Sequence, residues 1–221
     1  MTCYLQGMTQ RSQTFTDQCI AHLDRALRTM FGEPIGSGRD NPAPERDDST
    51  LSSTDKATSA CLMRVNHAGE VCAQALYQGQ ALTARQSETR AQMEQAAEEE
   101  NDHLLWCRQR IHELGSHTSL LNPLWYSGSL ALGAASGLLG DKWSLGFLAE
   151  TEHQVVRHLE GHLQRLPAAD TKSQAILEQM KIDEARHQST ALNAGGVELP
   201  DPVKKVMTLM SRVMTTVAYR I

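Results

Sequence analysis

The sequence predicts an all-α protein organised around a four-helix bundle, with extra helices at both ends. Three observations predict it. No alternation of apolar and polar residues survives over five positions, so no strand is expected. Apolar residues recur instead at i, i+3, i+4 and i+7 through four long stretches. The second and third stretches are joined by a long segment, and the flanking links are short. A single crossover of this kind is the ferritin-like connection of a four-helix bundle.

The bulk properties fit. At 221 residues the chain holds one domain, or one domain with an extension. Aromatic residues make up only 5% of it, and its Ala, Leu, Gln and Glu favour helix. The net charge of -5 speaks against nucleic acid, because a polyanion binder carries a basic face. Five cysteines, Cys3, Cys19, Cys61, Cys72 and Cys107, form no Cys-x-x-Cys pair and suit a reducing compartment. The first residues, MTCYLQGMTQRSQ, lack the apolar run of a signal peptide.

Taken in order, residues 12–31 place Phe15, Cys19, Ile20, Leu23, Leu27 and Met30 at helical spacing. An amphipathic helix is expected there, docked on the main domain or on a partner. Residues 32–53 are rich in Gly, Pro, Ser and Asp and read as a mobile linker. Residues 1–53 thus form an N-terminal helix and flexible linker, and 54–221 the bundle domain. Its helices are expected at 54–84, at 87–114 with Gly115 ending it, at 142–166 stopped by Pro167, and at 171–193 closed by Gly195 and Gly196. A last helix, 202–221, has Asp201 as cap and Pro202 at its first position.

The crossover is unusual. From Thr118 to Gly140 no residue is charged. The length would meet the rule for a membrane span, but Asn122, Pro123 and four glycines lower its hydropathy, and a span would pull the bundle apart. An amphipathic helix lying in the membrane interface is expected instead, with Leu121, Leu124, Trp125 and Tyr126 at headgroup level. A helix packed on the bundle is the plainer alternative. Gly133-x-x-x-Gly137 permits close helix contact.

Chemistry enters with Glu-x-x-His, which places a carboxylate and an imidazole on one helix face. The chain has three such pairs: Glu100/His103, Glu150/His153 and Glu184/His187. Helical phase separates them. Glu100 and His103 align with Met93, Cys107 and Ile111, and Glu184 and His187 with Met180 and Ala191, so both pairs face inward. Glu150 and His153 fall on the polar face, while Glu152 aligns with Leu145, Leu148 and Leu159. In the 54–84 helix, Glu70 aligns with Met63, Tyr77 and Ala81. Each half of the domain therefore offers one Glu, then Glu-x-x-His one helix later. Four carboxylates and two imidazoles are the set a bundle di-iron site needs. Buried without a cation, such carboxylates would be very costly. Mixed oxygen and imidazole ligands suit Fe or Mn. One turn before each imidazole, Glu99 and Asp183 are expected to orient His103 and His187 respectively. Glu98 and Asp102 are expected as surface acids, as are His112, His117 and His162 as surface histidines. His158 is a candidate for the pocket, and His67 for a place near the site or a structural role.

Several stretches together resemble one family. They are RVNHAGEVCAQALYQGQ (64–80), EEENDHL (98–104), NPLWYSGSLALGAASGLLG (122–140), ETEHQVVRHL (150–159) and DEARH (183–187). In this order they look like the demethoxyubiquinone hydroxylases of ubiquinone biosynthesis, over about residues 54–221. The resemblance implies a ferritin-like di-iron monooxygenase that uses O2 to hydroxylate the ring of a membrane-borne polyprenyl benzoquinol. Its metal ligands fall on Glu70, Glu100, His103, Glu152, Glu184 and His187, the set chosen by helical phase. It implies two iron ions, with electrons from a reductase, from NADH or through the quinol itself. No Gly-x-Gly-x-x-Gly follows a strand, so a nicotinamide would bind in an unfamiliar way. A peripheral position on the cytoplasmic face of the cell membrane is expected, with a homo-oligomer or other ubiquinone-biosynthesis proteins as possible partners. The alternative is a ferritin-like ferroxidase or iron-handling protein, which predicts no apolar lipid-facing helix; the uncharged crossover argues against it.

Overall fold

The computed structural model describes residues 15–32, 34–43 and 50–221, and each regular element among them is a helix. In chain order these are α1 (Phe15–Phe31), α2 (Ser53–Thr83), α3 (Ser87–Glu113), α4 (Asn122–Leu138), α5 (Asp141–Leu163), α6 (Thr171–Asn193) and α7 (Asp201–Ala218). The α2–α3 and α5–α6 hairpins form the bundle, and α4 is the crossover, laid along α2.

Local chemistry fixes the ends. Ser52 and Asp55 form a reciprocal capping box at the start of α2. Asp170 caps α6 by accepting from the Ser173 N–H at 3.0 Å, and its carboxylate also pairs with the buried Arg110 at 2.8 Å. At the opposite end the buried Asp141 accepts from the N–H groups of Arg85 and Gln86, at 3.0 and 2.8 Å. It thereby ties the α2–α3 turn to the start of α5. Gly140 precedes α5 at φ 109°, a left-handed conformation suited to glycine.

Two apolar layers fill the bundle. One holds Met63, Cys107, Ile111, Leu159, Ile176, Leu177 and Met180. The other holds Tyr77, Ala81, Met93, Leu145, Leu148 and Ala191. On every one of the four helices, the inward acidic and imidazole residues lie in sequence between these layers.

The crossover packs tightly. A Cβ at Gly133 would stand 2.2 Å from the Leu76 carbonyl oxygen, and one at Gly79 would stand 2.3 Å from that of Leu130. Glycine at both positions lets the α2 and α4 backbones meet. Tyr126 is buried and its hydroxyl donates to Gln78 Oε1 at 2.5 Å, so it is not at a headgroup level as expected. Trp125 is partly buried against Val65, Ala68 and Ala218, whereas Leu124 stays exposed. Among the described residues no helix is long and apolar enough to cross a membrane.

The N-terminal region departs from expectation in two ways. α1 docks on the bundle through Ala26 and Met30, which pack on Val71, Leu104 and Tyr126, but Ile20, Leu23, Leu27 and Phe31 face outward. The Gly- and Pro-rich stretch expected to be a mobile linker makes fixed contacts with α3 over residues 36–43; residues 44–49 of it, like residues 1–14, lie outside the described set. One contact corrects the reading of Asp102. That carboxylate is buried and accepts from the Ser37 N–H at 2.7 Å and the Ser37 hydroxyl at 2.6 Å.

His162 is likewise buried rather than on the surface, with its Nδ1 2.8 Å from Asn66 Oδ1; His112 and His117 are exposed. Burial pushes His162 down to about 2, so it stays neutral in the fold. Unfolded, it would titrate near ~6.5. The unfolded chain alone then takes up this proton as pH falls, and the stability tied to neutral His162 is lost below that value. In metal-free protein, the unfolding free energy of wild type minus that of His162→Gln should fall by about 1 kcal/mol per pH unit between about pH 6 and 5. Urea denaturation at stepped pH measures it; a pH-independent difference contradicts it.

Candidate metal centre

The helical phases converge in the middle of the bundle. Glu70 on α2, Glu100 and His103 on α3, Glu152 on α5, and Glu184 and His187 on α6 are all buried. Both imidazoles turn Nδ1 toward the same two carboxylates. His103 Nδ1 lies 2.8 Å from Glu100 Oε2 and 3.1 Å from Glu184 Oε1; His187 Nδ1 lies 3.1 Å from Glu100 Oε1 and 3.3 Å from Glu184 Oε2. Tyr77, two turns beyond Glu70 on the same face, donates its hydroxyl hydrogen bond to Glu152 Oε1.

Two groups of ligand atoms are close enough to hold a cation. One is Glu70, Glu100, His103 and Glu184; the other is Glu152, Glu184 and His187. Glu184 belongs to both, so the two positions are adjacent and share a carboxylate. All six sequence-selected ligand residues fall in these groups. Glu150 does not: it is half-buried on the outer side, near Lys204.

The electrostatics show what the site lacks without a cation. Burial, and after it Glu100, raises Glu70 well above the usual carboxylate range. Burial, with Glu184, does the same to Glu152. Burial also opposes charge on Glu100, Glu184 and the imidazoles. Here the mutual attraction wins: Glu100 and Glu184 are held low, His103 is raised, and His187 is pushed up to about 12. The shifts thus push two carboxyls toward the neutral form and two imidazoles toward the charged form. Cations held among the carboxylates would offset the burial that raises Glu70 and Glu152. Glu100 Oε1 is also a buried oxygen with no aligned hydrogen-bond donor, as a ligand oxygen awaiting a cation would be. The donor set fits a two-metal centre of hard or borderline cations.

The residues that orient the imidazoles are exchanged relative to expectation. His103 Nε2 lies 3.0 Å from Asp183 Oδ2 on α6, and His187 Nε2 lies 2.9 Å from Glu99 Oε2 on α3. Each ring's outward N–H therefore reaches the facing helix, not the acid one turn back on its own. Asp183 is held down at about 2: burial opposes this, but His103 and Arg39 outweigh it.

A second feature adjoins the cluster. An apolar cavity of about 470 Å³ lies between α2, α4, α5 and α7, and Glu70, Glu152 and Glu184 form part of its wall. His158 lines it, with its ring centroid 3.9 Å from that of His162; burial pushes His158 down to about 4. His67 is buried with no partner at Nδ1, and burial lowers it to about 3. Leu124, Leu132 and Met210 line the cavity and are also exposed, so it reaches the surface through apolar residues.

Comparison with known proteins agrees with this geometry. Residues 57–218 match the family model for ubiquinone biosynthesis protein COQ7. The chain belongs to this family. It is 59% identical to the 3-demethoxyubiquinol 3-hydroxylase of Nitrosococcus oceani, over 96% of this chain and 99% of that one. It is 56% identical to the protein of that name from Pseudomonas fluorescens (strain Pf0-1), over 96% and 99%, and 58% identical to that from Nitrosospira multiformis, over 92% and 97%. The family covers the bundle and α7; α1 and the segment after it precede the matched residues.

Sequence reasoning gave no role to Tyr77, although its helical phase placed it inward. It missed Arg39, which reaches Asp183 at 2.7 Å from the Gly- and Pro-rich segment and carries no periodic signal. The shared position of Glu184 has a direct consequence. After anaerobic ferrous loading and desalting, elemental analysis should find almost no iron in Glu184→Ala and about half the wild-type content in Glu152→Ala. Full loading of both would mean that the metal binds elsewhere.

Proposed function

We propose that this chain is a 3-demethoxyubiquinol 3-hydroxylase, an O2-dependent di-iron monooxygenase acting on the ring of a polyprenyl benzoquinol. The observation that carries the reading is the apolar cavity ending on the carboxylates. It gives a quinol ring a dry seat against the metal ligands and leaves its tail an apolar way out. A ferroxidase or storage bundle has no use for such a chamber.

Glu70, Glu100, His103, Glu152, Glu184 and His187 would hold two iron ions. Bound there, iron supplies the O2 reduction that no side chain here can furnish. The protein's own contribution is placement and exclusion of water. Leu76, Phe147, Val155 and Met214 wall the cavity. Thr151, Gln154, His158, Ser211 and Thr215 supply polar atoms for the ring oxygens. Burial, and then Glu152, raises Tyr77 well above its ordinary value, so its hydroxyl stays a fixed donor to Glu152. Electrons come from a reductase, from NADH or from the quinol itself.

The tail and the membrane complete the reading. Leu124, Leu132, Leu138 and Leu139 of the crossover region and Val203, Val206, Leu209, Met210 and Val213 of α7 are exposed apolar residues. Leu124, Leu132 and Met210 of this set line the cavity, which suits a peripheral position on the cytoplasmic face of the cell membrane, with the substrate drawn from the bilayer. The outward apolar face of α1 suits a second copy or another ubiquinone-biosynthesis protein.

The decisive test is chemical. Quinone extracts of a strain lacking this protein should accumulate demethoxyubiquinone, cured by the wild-type chain and not by Glu184→Ala; any other accumulated quinone rejects the assignment. For the membrane, the double variant Val206→Glu, Leu209→Glu should sediment with anionic vesicles at least about ten-fold less than wild type, because each buried apolar side chain is worth roughly 1.5–3 kcal/mol. Equal sedimentation would remove α7 from the membrane face.

A further inference from the structure

The N-terminal strap, residues 34–43, is fastened at several points along one face of α3. Arg108 donates to the Gly32 carbonyl at its start. Ser37 donates twice to Asp102, and Asn41 Nδ2 donates to Gln109 Oε1 at 2.9 Å. Gly36 runs so close that a Cβ there would lie 2.7 Å from Asp102 Oδ1. The fastening holds one long side chain in place. Arg39 reaches past α3 to α6 and donates to Asp183 Oδ2 at 2.7 Å, and its guanidinium lies 5.0 Å from the Trp106 ring centroid.

Both groups that Arg39 touches are neighbours of His103. Asp183 Oδ2 is the oxygen that faces His103 Nε2 at 3.0 Å, and Trp106 packs on the imidazole with ring centroids 5.5 Å apart. The other Asp183 oxygen accepts from Gln179 and Arg186, each at 3.2 Å. The acid that orients His103 is therefore itself gripped from outside the bundle, by a residue that precedes the family-matched segment.

We infer that Arg39 is a positioning residue for the metal centre: it fixes Asp183 and Trp106 around His103 and sets a permanent positive charge behind that ligand. The inference rests on the metal reading of the cluster. Its physics is simple. The partner of a ligand imidazole's outward N–H sets ring orientation and donor strength. A carboxylate relieved of its Arg partner is a stronger acceptor and makes the imidazole a richer donor. Richer donation and the loss of a nearby cation both favour the more highly charged metal state. Arg suits the task because one planar group can stack on an indole and still donate to a carboxylate.

The test compares Arg39→Gln, Arg39→Lys and Asn41→Ala in the full chain. Asn41→Ala removes a strap anchor that touches neither Asp183 nor Trp106. In metal-free protein labelled with nitrogen-15 at histidine, Arg39→Gln should shift the His103 Nε2–H resonance, and Asn41→Ala should leave it in place. In iron-loaded protein, Arg39→Gln should lower the midpoint potential of the centre, Arg39→Lys should return it toward wild type, and Asn41→Ala should not move it. An unmoved His103 resonance in Arg39→Gln, or an equal shift in Asn41→Ala, overturns the positioning role. An unmoved potential, or no recovery with Lys, overturns the electrostatic one. A wild-type chain that takes up no iron refutes the metal reading itself, and the metal-free resonance still decides the role of Arg39.

Discussion

Everything in this fold answers to one constraint: four carboxylates and two imidazoles share the dry centre of a helical bundle. Water cannot screen them, so their charge must be balanced within the cluster. Burial raises Glu70 and Glu152 and so favours their neutral forms, while the two rings hold Glu100 and Glu184 low and are themselves raised. The apolar layers on either side keep the helices in register around this centre. The bundle's ends are held by contacts outside this centre, such as the Arg110–Asp170 pair and Asp141 at the α2–α3 turn.

The crossover serves the same centre from outside. An additional helix on α2 could have closed the bundle off. Glycine at 79 and 133 instead brings the α4 backbone against α2, and α4 and α7 then enclose the cavity rather than fill it. Tyr126, Gln78, Gln74 and Asn101 form a hydrogen-bonded chain from α4 across α2 to α3, which fixes α4 relative to the candidate ligands. The side of the cluster that meets the cavity carries Glu70, Glu152 and Glu184 and neither imidazole. The carboxylates thus face the cavity, and the imidazoles lie toward the α3–α6 side.

Helical phase made the six central residues legible, because burying a stripe of a helix forces all inward residues into one period. It separated Glu152 from Glu150 although they are two positions apart. Phase says nothing about partners on a different helix. Glu99 and Asp183 were expected to serve the imidazole one turn along; in the structure each serves the opposite one, since a ring pointing into the bundle has its far nitrogen beside the neighbouring helix. Local pattern places Asp102 and His162 on the surface for a related reason. What covers them, Ser37 and Asn66, comes from parts of the chain that local pattern does not connect to them. The contacts of the strap were invisible because Gly, Pro and Ser give it no period. The docking of α1 through Ala26 and Met30, with its larger apolar residues outward, could not be read from amphipathicity alone.

The exchanged acids make the two metal positions unequal in spite of the repeated motif. Asp183, behind His103, is nearly buried, gripped by Arg39 and roofed by the strap. Glu99, behind His187, is more open, and its partner Arg186 is an exposed side chain. Glu99, Arg186 and His187 also line a small surface cleft of about 90 Å³ with Gln92 and Gln95, on the side away from the apolar cavity. The acid behind His103 is thus the more enclosed of the two, and the acid behind His187 the more open. Both acids also meet the exposed Arg186, at 2.7 Å for Glu99 and 3.2 Å for Asp183. The repeated motif supplies two like sets of candidate ligands, and their surroundings, among them Arg39 from outside the bundle, make the two unequal in exposure.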